Sequence, residues 1–304
     1  MLYPDFYELI SFKKRKSTLT SPSSRTMKSA ISGNYQSAFR GQGLDFDSVR
    51  KYVPGDDIRN IDWRVTARMD SPHLKLFKEE RERHTLICVD MNASMRFGTR
   101  NTFKSVQAAR IAALLGWKSM EHQDRVSAYL FGDIPKGSQY FPPKRTQKSF
   151  CHMLKLLSQP PQEQHTVPLS KIFQPLIQMT HSGSLIYVIS DFMDVDADFQ
   201  NTPGLNLLSK QSEIVFISIN DPADQTLFPM GEIEFCNAKS EKIIANTDSL
   251  TGREAYATQW KKNRESLKEV ASRLKIPLVE LSTTSDIHRE MILGLKYLAK
   301  RKKR

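Results

Sequence analysis

The chain has 304 residues, of which 39% are hydrophobic and 26% are charged, so it can bury the core of one large domain or two ordinary ones. This composition excludes a wholly disordered chain, and no apolar run is long enough for a membrane-spanning helix. The formal net charge is +12, which admits a nucleic-acid partner. Much of the excess lies in Lys13–Lys16 and Lys300–Arg304, without interleaved aromatic residues to stack on bases, so solvated tails are the favoured interpretation.

Cysteine usage and the first residues bear on the compartment. Cys88, Cys151 and Cys236 are odd in number, widely separated and form no CxxC pair, so we predict neither a disulfide framework nor a thiolate metal site. The first positive charges follow apolar residues, which is not the order in a secretory signal peptide. We therefore predict a cytoplasmic protein.

The first two segments differ in composition. Residues 1–40 are predicted to be an N-terminal arm, with a short helix near Phe6–Phe12 followed by a Ser- and Thr-rich stretch. Residues 41–83 are rich in Gly, Asp, Arg and Trp, and extended strands are predicted there. Val53–Asp56 fits a turn with Pro second and Gly third, which argues against a helix across this segment. Its acids are expected to form charge-assisted pairs with its arginines.

Residues 84–300 alternate strands with helices, and residues 301–304 form a basic tail. Strands are predicted at 84–90, 125–131, 138–141, 184–191, 213–221 and 276–282, with an antiparallel edge strand at 231–237. Helices are predicted at 103–120, 144–157, 168–179, 205–210, 253–274 and 286–300. Near-continuous apolar strands separated by helices are typical of a parallel sheet covered on both faces. The predicted fold is therefore α/β, a doubly wound, mostly parallel sheet, with a β-rich or irregular N-terminal arm.

Two aspartates end buried strands in this pattern, Asp90 in VDMNASM and Asp191 in VISDF. Ligands of open α/β sheets bind at the carboxyl ends of the strands, where both would lie. Carboxylate, amide and hydroxyl oxygens suit Mg²⁺, Mn²⁺ or Ca²⁺. Aspartate also ends many strands as a turn former or helix cap, so both interpretations stay open on the residues alone.

Asp90, Asn92 and Ser94, followed by Met95 and a helix, resemble the metal-ion-dependent adhesion site of von Willebrand factor A domains. The usual form has Ser where Asn92 stands, and it adds a Thr and a second Asp from later loops. Asp191 matches the later Asp, and Thr166 is the candidate for the Thr, with Thr146 as the alternative. The resemblance implies a Mg²⁺ ion held by Asp90, Asn92, Ser94, Thr166 and Asp191, with coordination completed by a carboxylate of a partner.

A longer signature precedes this loop in GLDFDSVRKYVPGDDIRNIDWRVTAR, and it resembles the bacterial family called domain of unknown function 58. The residues that fit are Gly43, Phe46, Arg50, Tyr52, Pro54, Gly55, Asp56, Asp57, Arg59, Ile61, Asp62, Trp63, Ala67 and Arg68. The resemblance implies a von Willebrand factor A-like domain that cooperates with a MoxR-type AAA+ ATPase and a client protein during assembly or cofactor insertion. Many members of that family have membrane helices ahead of the signature, and none is predicted here.

These patterns favour a non-enzymatic, metal-dependent protein-interaction module without a small-molecule substrate. Its partner-binding residues are predicted to be Met91 and Met95 beside the loop, and Asp57, Arg59 and Trp63 in the signature. One alternative is a nucleic-acid-binding protein that uses its basic termini. The other is an aspartyl-phosphate phosphohydrolase, which is disfavoured because the required acid/base position holds Asn92, an amide that does not exchange a proton near neutrality.

Overall fold

A computed structural model describes residues 3–14, 44–69, 71–79, 83–160, 165–195, 199–236, 242–291 and 293–294. The chain divides into two compact units. The first comprises 1–24 and 83–304, and the second comprises 25–82. The predicted boundaries at 40/41 and 300/301 fall outside the described residues and stay predictions.

The described helices are α1 (Phe6–Ser11), α2 (Trp63–Met69), α3 (Lys104–Glu121), α4 (Gln147–Leu157), α5 (Phe173–Met179), α6 (Leu205–Gln211), α7 (Pro222–Gln225) and α8 (Leu250–Arg273). The described strands are β1 (Leu44–Lys51), β2 (His73–Glu79), β3 (His84–Met91), β4 (Arg125–Gly132), β5 (Ser138–Lys144), β6 (Leu185–Ser190), β7 (Glu213–Asn220), β8 (Glu232–Cys236), β9 (Lys242–Asn246) and β10 (Leu278–Ser282). Short 3₁₀ helices at Ala93–Arg96 and Leu169–Lys171 lie beside the carboxyl ends of the strands.

The first unit is built on a six-stranded sheet with the order β10-β7-β6-β3-β4-β5. Neighbouring strands are parallel except β5, which pairs antiparallel with β4 at one edge. From β3, the chain first adds β4 and β5 on one side of the sheet and then β6, β7 and β10 on the other. The direction in which strands are added therefore reverses between β3 and β6, which is the topological switch point of the sheet. The predicted doubly wound, mostly parallel sheet is confirmed.

Each face of this sheet carries its own apolar core, because successive side chains of a strand point to opposite faces. In β3, Ile87 and Val89 pack with α3 and α4 on one face. Leu86 and Cys88 pack with α5, α6 and α8 on the other. All four side chains are fully buried, which explains the uninterrupted apolar run that predicted this strand.

Helix α1 completes the first face. Its Leu9 is fully buried, and the indole nitrogen of Trp117 in α3 donates a 3.0 Å hydrogen bond to the Leu9 carbonyl. Glu8 forms a 2.9 Å ion pair with Arg110, also in α3. The short N-terminal helix predicted near Phe6–Phe12 is therefore present and packs on the domain.

The second unit contains the antiparallel pair β1 and β2, with α2 in the connection between them. The Val53–Asp56 turn is confirmed, since the Asp56 amide donates to the Val53 carbonyl and Gly55 has a φ of +106°. One expected charge pair forms, a two-bond contact between Arg50 and Asp56. No helix crosses the turn, as predicted, but the short helix α2 was not predicted; Asp62 accepts amide hydrogen bonds at its start.

Two smaller predictions need correction, and a third is confirmed over its described part. Strand β8 is not an edge of the main sheet, because it pairs with β9 in a separate two-stranded sheet. Helix α4 begins at Gln147 rather than at residue 144, since β5 continues to Lys144. Of the closing helix predicted at 286–300, the described part is helical at 287–291 and 293–294, and residues 295–300 lie outside the described residues.

Within the described ranges, no helix combines the length and apolar character needed to cross a bilayer.

Candidate functional site at the carboxyl ends of the strands

The sheet places Asp90 and Asp191 at adjoining strand ends. Val89 of β3 is in register with Ile189 of β6, so Asp90 lies beside Ser190 and one residue from Asp191. Both aspartates are almost completely buried, with 3% and 2% of their surfaces exposed. The reversal of the winding between β3 and β6 thus brings two carboxyl groups to one edge.

The Asp90 carboxyl group is held by two local donors. It accepts a 2.8 Å hydrogen bond from the Asn92 amide and a 2.6 Å bond from the Ser190 hydroxyl. Burial, together with repulsion from Asp191 and more weakly from Asp194, raises the Asp90 pKa to about 8, although the two hydrogen bonds act in the opposite direction. Near neutral pH this group is therefore mainly a protonated acid.

The Asn92 side chain joins two loops. Its Nδ2 donates to the Val167 carbonyl at 2.9 Å, and its Oδ1 accepts from the Val167 amide at 2.9 Å. The side chain therefore behaves like a short piece of backbone in a β-bridge. This pair holds the residue after Thr166 against the loop that follows β3.

The two hydroxyls predicted as ligands lie on these joined loops. Ser94 is exposed on the 3₁₀ helix Ala93–Arg96, and Thr166 is exposed directly before Val167. The alternative, Thr146, is also exposed and precedes α4. The backbone after β3 rests against Gly132 at the end of β4, where an added Cβ would overlap the Asn92 amide nitrogen. The structure thus groups Asp90, Asn92, Ser94 and Thr166 in one region.

Asp191 has a different partner, the ammonium group of Lys104. Lys104 is the first residue of α3 and only 2% exposed. Its Nζ lies 2.9 Å from Asp191 Oδ2 and 3.1 Å from Asp224 Oδ2. Burial lowers the Lys104 pKa, but the two carboxylates more than offset this and raise it above its ordinary value. The lysine stays charged and bridges two strand-end loops.

Further buried groups surround this pair. The Arg264 guanidinium, 2% exposed in α8, donates to the Asp191 carbonyl and to the Ser218 hydroxyl. Asp221 at the end of β7 accepts hydrogen bonds from Thr99 and Thr283. Burial acts to raise the Asp221 pKa, but these bonds outweigh it and lower the pKa. The carboxyl edge therefore carries a connected network of buried charges.

The residues present fit an adhesion-type divalent ion poorly. The Asn92 amide is engaged by Val167 through both of its polar atoms, and Asp191 is paired with an ammonium group. Both Asp90 oxygens already accept hydrogen bonds, one from the Asn92 amide and one from the Ser190 hydroxyl. The Mg²⁺ ion stays a prediction.

The predicted partner-binding residues differ in accessibility. Met95 is fully buried in the core, so its assignment to a partner surface was wrong. Met91 is partly buried and packs on the same core. In the second unit, Asp57 and Arg59 are exposed, and Trp63 is 68% exposed. These three residues stay available for the predicted role.

The geometry bears on the phosphohydrolase alternative and leaves nucleic-acid binding untested. Asp90, the nucleophile in the phosphohydrolase alternative, is 3% exposed, and Asn92, at the acid/base position, is bonded to Val167. In the first basic run, Lys13 donates to Gln147 at 2.9 Å and lies 5.7 Å from the centre of the Trp117 indole. Residues 300–304 lie outside the described residues, and nucleic-acid binding stays untested.

Sequence reasoning missed Lys104, Asp224 and Arg264. The burial of Arg264 could have been predicted, because Leu267 and Ala271 follow it at helical spacing and place it on the apolar face of α8. Both of these residues are buried. Asp224 follows the third strand that ends in aspartate, in NDPAD. Lys104 has no comparable signal, because a lysine at a helix start ordinarily reads as a solvated residue.

The fold is a doubly wound, mostly parallel α/β domain with buried charged side chains at the carboxyl ends of its strands. The family model described as "Protein of unknown function DUF58" matches residues 48–266, which is more than half of the chain. The chain therefore belongs to this family, as its signature predicted.

The chain matches mycobacterial relatives over most of its length. The chain is 26% identical over 259 residues to "Uncharacterized protein Rv1480" of Mycobacterium tuberculosis H37Rv, covering 84% of this chain and 80% of the relative. It has the same identity and coverage with "Uncharacterized protein Mb1516" of Mycobacterium bovis. The names of these proteins specify no enzymatic activity.

Similar folds occur among solved structures. The conserved hypothetical protein BatB from Bacteroides thetaiotaomicron is 12% identical, with 72% of this chain and 99% of BatB covered and a TM-score of 0.45. The SpRpn10 VWA domain is 10% identical, with 70% and 94% covered and a TM-score of 0.38. The assignment of the fold rests on the strand order of the chain itself.

Proposed function

We propose that this protein is a protein-interaction module that binds its partner at the carboxyl edge of the main sheet. The observation that carries the proposal is the pairing of Asn92 with Val167, which joins two loops that each present an exposed hydroxyl. Ser94 and Thr166 mark this surface, which we call the hydroxyl face. A polar surface on loops held by a rigid sheet is a common arrangement for recognition.

The partner we propose is a MoxR-type AAA+ ATPase, acting together with a client protein. Membership in the family and the resemblance of its signature support this choice. The predicted contacts Asp57, Arg59 and Trp63 belong to the second unit, where their exposure supports a separate contribution to binding. A cytoplasmic location is part of the same proposal.

Binding of the purified ATPase to immobilised protein tests the hydroxyl face. We expect the double variant Ser94→Arg/Thr166→Arg to weaken binding at least about tenfold, because two bulky charges would lie inside the contact. The matched control is Ser272→Arg, which alters an exposed hydroxyl at the end of α8. This position precedes the first residue of β10 and therefore lies toward the amino ends of the strands, opposite the hydroxyl face. Equal binding by all three proteins would contradict the proposed face, and no binding by the unmodified protein would contradict the proposed partner.

A further inference from the structure

The buried lysine at the start of α3 occupies an unusual position. The Lys104 ammonium lies within 3.2 Å of Asp191 and Asp224, and the Phe97 ring centre is 5.5 Å away on another side. Only 2% of the residue is exposed. An isolated ammonium in such surroundings is strongly disfavoured, so its burial depends on the two carboxyl groups that contact it.

The oxygens around this ammonium are already used by the protein. Asp191 Oδ1 accepts from the Met193 amide at 3.3 Å, and Asp191 Oδ2 accepts from Lys104. Asp224 Oδ2 accepts from the Asp221 amide at 2.7 Å, which closes the capping box of α7. A divalent ion at Asp191 would have to approach a fixed positive charge 2.9 Å from the same carboxylate.

We propose that the Lys104 ammonium is the resident cation of this strand-end site, so that the chain orders its carboxyl edge without a divalent metal. The ammonium neutralises two carboxylates that come from separate loops, after β6 and after β7. Arg264 adds a second buried positive group through the Asp191 carbonyl. This inference concerns the source of positive charge and does not depend on the identity of a partner.

Thermal unfolding of the full chain in Mg²⁺, Mn²⁺, Ca²⁺ or EDTA tests this assignment. We expect the melting temperature of the unmodified protein to be the same in all four conditions. Lys104→Met should melt at a clearly lower temperature, because it leaves two buried carboxylates without their counter-charge. The matched control is Lys268→Met in α8, which alters an exposed ion pair with Glu280 and should change the melting temperature little.

Two results would overturn the assignment. One is a divalent-dependent rise in the melting temperature of the unmodified protein that Asp191→Asn abolishes. The other is a Lys104→Met variant as stable as the unmodified protein.

If Lys104→Met does not fold, the triple variant Lys104→Met/Asp191→Asn/Asp224→Asn separates charge from packing. Recovery of folding in EDTA would support the ammonium as a counter-charge. If the triple variant also fails, equilibrium dialysis of the unmodified protein against Mn²⁺ decides. One bound Mn²⁺ per chain, lost in Asp191→Asn, would overturn the assignment, and the absence of such binding would support it.

Discussion

Asp90 and Asp191 end neighbouring strands in similar sequences, yet they are stabilised in different ways. Asp191 pairs with the buried Lys104 ammonium, which Asp224 also contacts. Asp90 has a hydroxyl and an amide as donors, and its pKa is raised to about 8. The comparison shows that a position at a strand end determines where a carboxyl group lies. The groups that contact the carboxyl group, a cation or neutral donors, determine its electrostatic environment.

The largest expected difference between the two sites is in stability. Asp191→Asn removes one charge from a buried ion pair and should lower the free energy of unfolding by about 3 kcal/mol. Asp90→Asn, an equally isosteric change, should not lower the free energy of unfolding at pH 7, because it removes the cost of protonating a buried carboxyl group that is ionised in the unfolded chain. Urea unfolding measures both variants, and equal costs would contradict the contrast between the sites.

The pH dependence of stability sharpens the same comparison. The folded-state pKa of Asp90, about 8, lies above its ordinary value of 3.8, so between these values the folded protein holds a proton that the unfolded chain releases. Stability contributed by this group is therefore lost as pH rises, by roughly 2 kcal/mol between pH 6 and pH 8. Urea unfolding across this range should show a shallower fall for Asp90→Asn. Parallel curves for the variant and the unmodified protein would be inconsistent with the raised pKa.

A smaller effect is expected where Asn92 joins the two loops. Asn92→Ala removes both hydrogen bonds to Val167 and should cost about 1–2 kcal/mol. Hydrogen exchange of the Val167 amide should become faster, because its acceptor is lost. The control Asn263→Ala removes a bond to the Met193 carbonyl and should leave Val167 exchange unchanged. Unchanged exchange of the Val167 amide in Asn92→Ala would contradict the hydrogen bonding between Asn92 and Val167.

Much of the fold could be predicted because each buried strand of the main sheet is a continuous apolar run in the local sequence. Residues 185–190 are all buried, and a continuous apolar run of that length predicts such a strand. Helix α2 was missed because it is a short helix of seven residues without a buried face. Strand β8 was assigned to the wrong sheet because pairing partners are set by tertiary structure rather than by local pattern.

The site was only partly predictable for a related reason. The types and positions of Asp90 and Asp191 follow from local sequence, but the partners that determine their chemistry come from distant segments. Asn92 meets Val167 across 75 positions, and Lys104 meets Asp191 across 87. Asn92 was therefore predicted as a ligand from its residue type, while the structure engages its amide with backbone.

Two contacts restrict the loop after β3. Asn92 is hydrogen-bonded to the Val167 backbone, and the loop backbone packs directly on Gly132, which has no side chain. Such a loop has few conformations to give up when a partner arrives. The conformational entropy lost on association then falls mainly on the partner, which favours tight recognition from a small contact area. A substitution as modest as Gly132→Ala would displace the loop and could weaken association without touching any contact residue.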